Sequence, residues 1–600
     1  MSAGADRIVR VGGATAFRAD STMSVPQLLA GGVDYLIFDN LAEGSIGAFG
    51  QMAAKDPAGG FATEFAGLYV LPWLSEMLAK KVRVITNAGA LNPRGCAEAM
   101  ARAAEALGLK PRIAYVEGDD LRHREQALRA AGHADMFSGA PFPDRPATSI
   151  NAYIGAFPIA AALAKGADIV ITGRVVDSAL ALGPLIHEFG WAHDDFDLLA
   201  AGTVAGHLLE CGTQVTGGTF TDWQDVPDWA NIGYPIGECR ADGTFTITKP
   251  AGTGGLVSVG TVAEQMLYEV SDPGCYFVPD VTVDFTGVAL TEVGPDRVLV
   301  SGARGLPPTS TAKVTVTYED GWRCIALQPI IGIDAPSKAD RQAASLFERT
   351  RAMLRAHNLA DWKRTYIELL GAEATYGGRA RRADTREVIL RMIVDHDEKA
   401  GAELFAREQL SAITTMSVGT SIGLGTAVSP LLNLFSFLLP KGEVQATMTI
   451  DGVTEAITVP TGGGYVPQER APEIQAPRLS ALHPGGGWSQ VPLVRLAYGR
   501  SGDKGDLFNV GIIARRPDYL PFIRAALTPA SVADWYAHVF SQGAQPRVDR
   551  YEVAGIHALN FVIHDALDGG ITSSPRLDKV AKAMAQQLLE FPVPVPPALA

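Results

Sequence analysis

Five times in the first 180 residues a short apolar run stops abruptly in polar or glycine residues, and a helical stretch follows. "RIVRV" ends at Gly12-Gly13, "DYLIF" at Asp39-Asn40 with Glu43 just beyond, and "VRVIT" at Asn87. "RIAYV" ends at Glu117-Gly118-Asp119-Asp120, and "ADIVIT" at Gly173-Arg174. Between them lie helical segments such as "EFAGLYVLPWLSEMLAKK" and "CAEAMARAAEALG". Strands alternating with helices at this spacing pair in parallel through right-handed crossovers. Runs that are apolar throughout, with no polar alternation, fit strands covered on both faces. The pattern predicts an α/β fold: an N-terminal three-layer α/β sandwich around a mainly parallel sheet.

The texture then changes. From about residue 275, "YFVPDVTVDFTGVALTEVGPDRVLVSGARG" and "AKVTVTYEDGWRCIAL" read as antiparallel strands with Gly and Asp turns. A helix over about 337–357 and the strand-to-helix run "EVILRMIVDHDEKAGAELFAREQLSAI" follow. Residues 461–492 hold five prolines and six glycines, the composition of a linker. The expected division is therefore an α/β domain over 1–270 with a ligand crevice, and an α+β region over 271–460 packed on it. A Pro/Gly linker spans 461–492, and a small C-terminal α+β domain spans 493–592 with helices at 529–539 and 575–589. The apolar runs "LFNVGIIA" and "ALNFVIHDAL" would make sheet faces that need covering, so this small domain is expected to dock rather than wander.

Composition narrows the function classes. With 47% apolar and 19% charged residues the chain is an ordinary globular protein. A net charge of −14 argues against a nucleic-acid partner and against anionic membranes. No apolar run reaches 18 residues, and "PLLNLFSFLLP" carries Asn433 and is too short to span a bilayer. The opening "MSAGADRIVRVGG" has no apolar signal core, so a cytoplasmic location is expected. Five scattered cysteines without a CxxC pair predict neither a disulfide framework nor a structural zinc site.

Ligands of open parallel sheets bind beyond the carboxyl ends of the strands, where each strand delivers a loop and the helices point their N-termini. Asp39, Glu43, Asn87, Arg174 and Asp177 belong to that rim, and so do Gly12 and Gly13. Helix capping is the competing reading for Asn87 and Asn92. "HLLECGTQVTGGTF" (207–220) adds Glu210, a candidate acid/base group at a helix end, with Thr216 and Gly217 in the turn beyond. Cys211 follows a helix C-terminus, whose negative end raises a thiol pKa, so a packed small residue is the better reading than a nucleophile. "RVGGATAFRAD" lacks the GxGxxG spacing, no GxxxxGK[ST] loop occurs, and no organic cofactor is expected. His187 and His193 lie six apart, which matches no zinc-protease helix face. A divalent metal is left open, with Asp39, Asp119 and Asp120 as oxygen donors. Arg379, Arg381, Arg382 and Arg386 read either as a solvated cluster or as a seat for a phosphorylated tail such as that of coenzyme A.

"GRSGDKGD" (499–506) sets three glycines among Arg500, Lys504, Asp503 and Asp506 between two apolar runs. Free backbone N–H groups with Arg500 and Lys504 would suit an anion-binding nest; an interdomain latch is the alternative.

"VDYLIFDNLAE" (33–43), "VITNAGALNP" (84–93), "ADIVITGRVVDSALALGPLIHEFGW" (167–191) and "HLLECGTQVTGG" (207–218) together resemble the acyclic terpene utilisation protein A family. The "GRSGDKGD" stretch resembles the start of that family's C-terminal ferredoxin-like domain. The resemblance implies bacterial catabolism of branched, terpenoid-like acyl-CoA esters. The expected activity is a lyase or hydratase, hydrating an enoyl-CoA or cleaving a β-hydroxyacyl-CoA. Asp39 or Glu43 would be the base, Glu210 a partner acid, and Asn87 and Arg174 orienting groups beside Asp177. Gly12, Gly13, Thr216, Gly217, Arg500 and Lys504 are the expected substrate-binding residues. The alternative is a non-catalytic acyl-CoA- or partner-binding subunit of a degradation complex; a homo-oligomer is expected in either case.

Overall fold

A computed structural model describes residues 7–462, 464–465, 479–483, 487–540 and 545–600. Five parallel strands form its centre: β1 (Ile8–Thr15), β2 (Tyr35–Phe38), β3 (Arg83–Thr86), β4 (Ile113–Glu117) and, beyond the antiparallel strand β5 (Ala147–Ala152), β6 (Ile169–Thr172). Their order is β1-β2-β3-β6-β4, all neighbours parallel.

Side-chain alternation on these strands makes the layers. Tyr35 and Ile37 of β2 point to one core with Ile159, Leu180 and Val204 of the helices Phe157–Ala164, Ala179–Phe189 and Phe196–Leu209. Leu36 and Phe38 point to a second core with Leu28, Phe49, Met77 and Met100 from four other helices. Each face of the sheet is covered, which is why the strands read as unbroken apolar runs. The three-layer α/β sandwich is thus present.

The middle of the chain is not a separate unit laid on this sandwich. The hairpins Ala289–Gly294/Arg297–Ser301 and Thr447–Ile450/Val453–Ala456 extend the same sheet at its two edges, giving eleven strands. The hairpin β7 (Ile236–Arg240)/β8 (Phe245–Thr248) joins β1 to the first of them. A second, antiparallel sheet is built on the 21-residue strand Thr311–Ile331 and also takes in β5. Sheet pairing therefore crosses the expected division at 270 in both directions. Much of the expected 461–492 linker (463, 466–478 and 484–486) lies outside the described residues. Its last strand, Ser489–Pro492, already pairs with Pro592–Val595 of the small domain.

The C-terminal domain is a four-stranded antiparallel sheet, Ala497–Lys504, Leu507–Ala514, Ala558–Ile563 and Val548–Val553 in spatial order, backed by short helices. Of the two expected helices, the first is Pro529–Trp535 and the second shrinks to Met584–Leu588, because 575–583 forms an irregular segment. The "GRSGDKGD" stretch is not a long charged loop. It is mostly strand, with Gly505 (φ +60°) and Asp506 as a two-residue hairpin turn. Residues 497–504 pair in register with 507–514, so no nest of free N–H groups exists there.

The domain docks as expected, on the segment Leu267–Ser271. Asn509 Nδ2 donates to Leu267 O (2.7 Å), and Asn560 Nδ2 donates to Val270 O (2.8 Å) and Ser271 O (2.7 Å). A Cβ at Gly511 would lie 2.7 Å from Leu267 Cβ, and one at Gly502 would lie 2.5 Å from the Tyr268 ring, so close approach explains both glycines. Arg515 clamps Asp222 through both carboxylate oxygens, at 2.5 and 2.6 Å.

Asn560→Ala leaves the buried Val270 carbonyl and the half-buried Ser271 carbonyl without their donor, so it should destabilise the protein by about 1–3 kcal/mol, read as a lower denaturation midpoint. Deleting 461–600 should lower the melting temperature of the remainder by uncovering Leu267 and Tyr268. An unchanged melting temperature would show that the domain is only tethered.

Candidate functional site

The rim beyond β2, β3, β4 and β6 gathers a set of charged groups, each aimed by a strand end. Asp39, 7% exposed, follows β2. Its Oδ1 accepts from Nδ2 of Asn87 at the end of β3 (2.8 Å), while Asn87 Oδ1 takes the N–H of Asn40 (2.6 Å). Asn87 is thus an orienting side chain between two loops; the helix cap is Asn92, which accepts from Gly95 N. Burial, then the charges of Asp177 and Glu210, push Asp39 well above the usual carboxylate range, and Asn87 and Arg174 offset this only in part.

Arg174 follows β6. Its Nη1 donates to Leu41 O and to Asp177 Oδ1, both at 2.8 Å, and its guanidinium lies 4.4 Å from the Tyr153 ring centre. Asp119, after β4, fixes the backbone beneath it by accepting from Arg174 N (2.7 Å) and Asn151 Nδ2 (2.8 Å). Burial pushes Asp119 up to about 7. Asp119 and Asp120 do not act together, since Asp120 pairs with Arg122 (2.6 Å).

Glu43 meets Lys313 in an ion pair, with Tyr153 Oη at 3.3 Å and Thr315 Oγ1 at 3.4 Å. Burial would raise it, but the charges of Lys313 and Lys504 bring Glu43 down to about 2. Glu210 closes the helix Phe196–Leu209. Burial raises it, the adjacent His207 opposes, and Asp177 raises it further. His207 Nδ1 is 3.2 Å from Glu210 Oε1 but off the line of a hydrogen bond, and neither ring nitrogen has a hydrogen-bond partner.

The C-terminal hairpin completes the group. Lys504 Nζ is 2.7 Å from Glu269 Oε2, and it feels Tyr276, Asp177 and Glu43 strongly enough to stay charged despite burial. Asp503 is pushed up to about 7 by burial and by Glu269. Lys504 is crowded by protein on all sides yet keeps 38% of its side chain in contact with solvent; Asp177 keeps 24%. That combination marks a recessed cleft open to water.

Asp39, Glu43, Asn87, Arg174, Asp177, Glu210 and Lys504 therefore share one cleft. Five expected substrate-binding residues do not face it freely. Gly12 and Gly13 lie inside β1, which runs on to Thr15, and a Cβ at Gly13 would sit 2.4 Å from Leu209 O. Thr216 is fully buried, its hydroxyl donating to Gly233 O (2.6 Å), and Gly217 (φ +103°) ends the following turn against Val226. Arg500 is spent on Thr219 and Gln214 and lies 4.6 Å from the Tyr268 ring centre, so it is an interdomain latch. Tyr153, His207, Glu269, Tyr276 and Lys313 also belong to the cleft but were singled out by no motif, and Asp503, noted in "GRSGDKGD", joins them. One signal was available: in "AKVTVT", Lys313, Thr315 and Thr317 alternate with core residues Val314 and Val316, so a lysine shares the polar face.

Two family models match this architecture: "Acyclic terpene utilisation family protein AtuA" over residues 9–450, and "AtuA ferredoxin-like domain" over 491–594. The chain belongs to the acyclic terpene utilisation family. Its role accordingly lies in the utilisation of acyclic terpenes. No curated protein and no solved structure matches the chain. Among the described residues, no three His, Cys, Asp or Glu side chains are gathered so as to hold a metal ion. No described helix is long and apolar enough to cross a membrane.

Beneath the Arg500 latch, Glu264 is 3% exposed and accepts from Thr221 N (3.1 Å). Burial pushes it from 4.5 up to about 7. The folded state holds that proton more tightly than the unfolded one, so the associated stability is present below 4.5 and lost as pH rises through 7. The loss should be about 3 kcal/mol. Glu264→Gln keeps the acceptor and cannot ionise, so its melting temperature should fall less with rising pH than that of the native protein. Equal slopes would refute this.

Proposed function

We propose that the chain is a lyase acting on branched, terpenoid-like acyl-CoA thioesters, hydrating an enoyl thioester or cleaving a β-hydroxyacyl thioester. One observation carries the reading: Asp39 and Glu210, both buried and both facing Asp177, are held above the ordinary carboxylate range. Carboxyl groups kept from ionising together are what proton transfer near neutral pH requires.

In hydration, water adds to the β-carbon and gives its proton to one carboxylate, while the other carboxyl delivers a proton to the α-carbon. Asp39 is the base, aligned by Asn87, and Glu210 is the acid. Glu43 is a poor base because Lys313 holds it ionised at about 2; it serves to position Lys313 and Tyr153. Lys504 and Arg174 supply the positive charge that a developing enolate oxygen needs.

The test is turnover of branched enoyl-CoA and 3-hydroxyacyl-CoA thioesters by the purified full-length protein. Asp39→Asn and Glu210→Gln should each lower kcat by about 10²–10⁴-fold. Activity should pass through a maximum with pH, rising as the pair of Asp39 and Glu210 loses its first proton and falling as it loses the second, because one carboxyl group must be ionised while the other keeps its proton. Full turnover by both variants would end this assignment.

A further inference from the structure

Residues 573–583, between the small domain's last long strand and its last helix, are bolted to the second sheet and carry two lysines, Lys582 beside Tyr268 and Cys211 and Lys579 beside Asp503. Arg323 donates to Ser574 O (2.8 Å) and Ser573 O (2.7 Å), and Arg391 donates to Pro575 O (2.6 Å). Glu368 accepts from Leu577 N (2.9 Å). Asp578 spends its carboxylate on the N–H groups of Lys582 and Ala583, both at 2.8 Å. The segment is therefore fixed, and its one carboxylate is taken up by backbone N–H groups.

Lys582 Nζ lies 4.0 Å from the ring centre of Tyr268, which also carries Arg500, and it senses the Cys211 thiol beside Glu210. Lys579 stands against Arg323 and Arg391, with Asp503 as the opposing charge among the described residues. Those arginines are already committed to Asp395 (2.7 Å) and Glu368 (2.6 Å). Asp503, itself pushed up to about 7, compensates little. Both lysines are exposed, and among the described residues neither forms an ion pair with a carboxylate. Crowding by protein holds both amino groups below the usual lysine range, and the two arginines add to this at Lys579. Two lysines that no carboxylate pairs, with Asp503 alone opposing Lys579, mark a place for an anion.

Two of the four arginines that the sequence offered for this task are already held. Arg379 lies 4.0 Å from the Trp535 ring centre and donates to Trp535 O and Asp534 O, while Arg381 pairs with Glu590.

We propose that Lys579 and Lys582 seat the phosphate groups of the carrier tail of the thioester substrate, so that the ferredoxin-like domain reads the anionic carrier while the strand-end carboxylates act on the acyl end. This rests on the thioester reading above and adds to it where the carrier lies. The probes are free coenzyme A, by calorimetry, and turnover of a coenzyme A thioester against the same acyl group on N-acetylcysteamine, which has no phosphates. The double variant Lys579→Ala/Lys582→Ala should weaken coenzyme A binding roughly ten-fold or more. Its kcat/KM penalty should be at least roughly ten-fold larger on the coenzyme A thioester than on the short one. Lys579→Arg/Lys582→Arg should recover most of the affinity, which excludes a folding defect.

Equal penalties on the two thioesters, or an unchanged affinity for coenzyme A, would overturn the assignment, as would a native protein that does not bind coenzyme A. If the native protein binds coenzyme A through these lysines but turns over neither thioester, the lyase reading fails and the phosphate seat stands.

Discussion

Asn509 and Asn560 hold this molecule in its working shape. Their side chains, buried in the C-terminal sheet, donate to the carbonyls of Leu267, Val270 and Ser271, a stretch that follows the helix Val259–Met266 and has no strand partners of its own. Buried carbonyls need donors, and here the second domain supplies them. The same contact presses Gly502 and Gly511 onto Tyr268 and Leu267 and fixes where the hairpin tip arrives. Lys504 reaches Glu269, and through it the strand-end carboxylates, only because that docking is tight. The cleft is a product of an interface, not of one domain.

The electrostatics of the cleft follow from how its acids are paired. Glu43 has Lys313 and stays ionised. Asp39 has an amide partner in Asn87, and the nearest cation, Arg174, is shared with Asp177. Of the cleft's carboxyl groups, Glu43 is thus held low while Asp39 and Glu210 are held high. An amide orients a carboxyl group while compensating its charge less than a cation does, so its proton stays available. A lysine at position 87 would quench Asp39 as Lys313 quenches Glu43.

Much of this was legible in the chain. Apolar runs ending in Asp39, Asn87, Asp119 and Arg174 gave the parallel core and its rim, because a covered strand must be apolar and must change character where it leaves the sheet. What stayed hidden depends on pairing between distant segments. The hairpins at 289–301 and 447–456 join the first sheet at its two edges, and no local pattern says which sheet a hairpin will extend. Gly12 and Gly13 sit inside β1 against Leu209, so glycine there serves packing rather than a turn. "GRSGDKGD" misleads for a related reason: its glycines answer to the face of another domain, and its charges to a cleft more than 200 residues away in sequence.

The division of labour between the domains explains why so charged a strand is tolerated. A lone hairpin carrying Arg500, Asp503, Lys504 and Asp506 would be an exposed sheet edge with little to hold it in register. Each charge instead has a separate anchor. Arg500 is held by Thr219, Gln214 and Tyr268, Lys504 by Glu269, and Asp506 by the N–H groups of Leu567 and Gly569. Asp503 has the weakest compensation, because Lys504 is already drawn to Glu269; it is the member of the four that is pushed up to about 7. Three charges therefore fix the strand, and the fourth lies beside Glu269 and Lys504 with its proton held more tightly than in water. An anchored scaffold that leaves one ionisable group under-compensated at a solvent-filled recess is how a protein concentrates reactivity without loosening its fold.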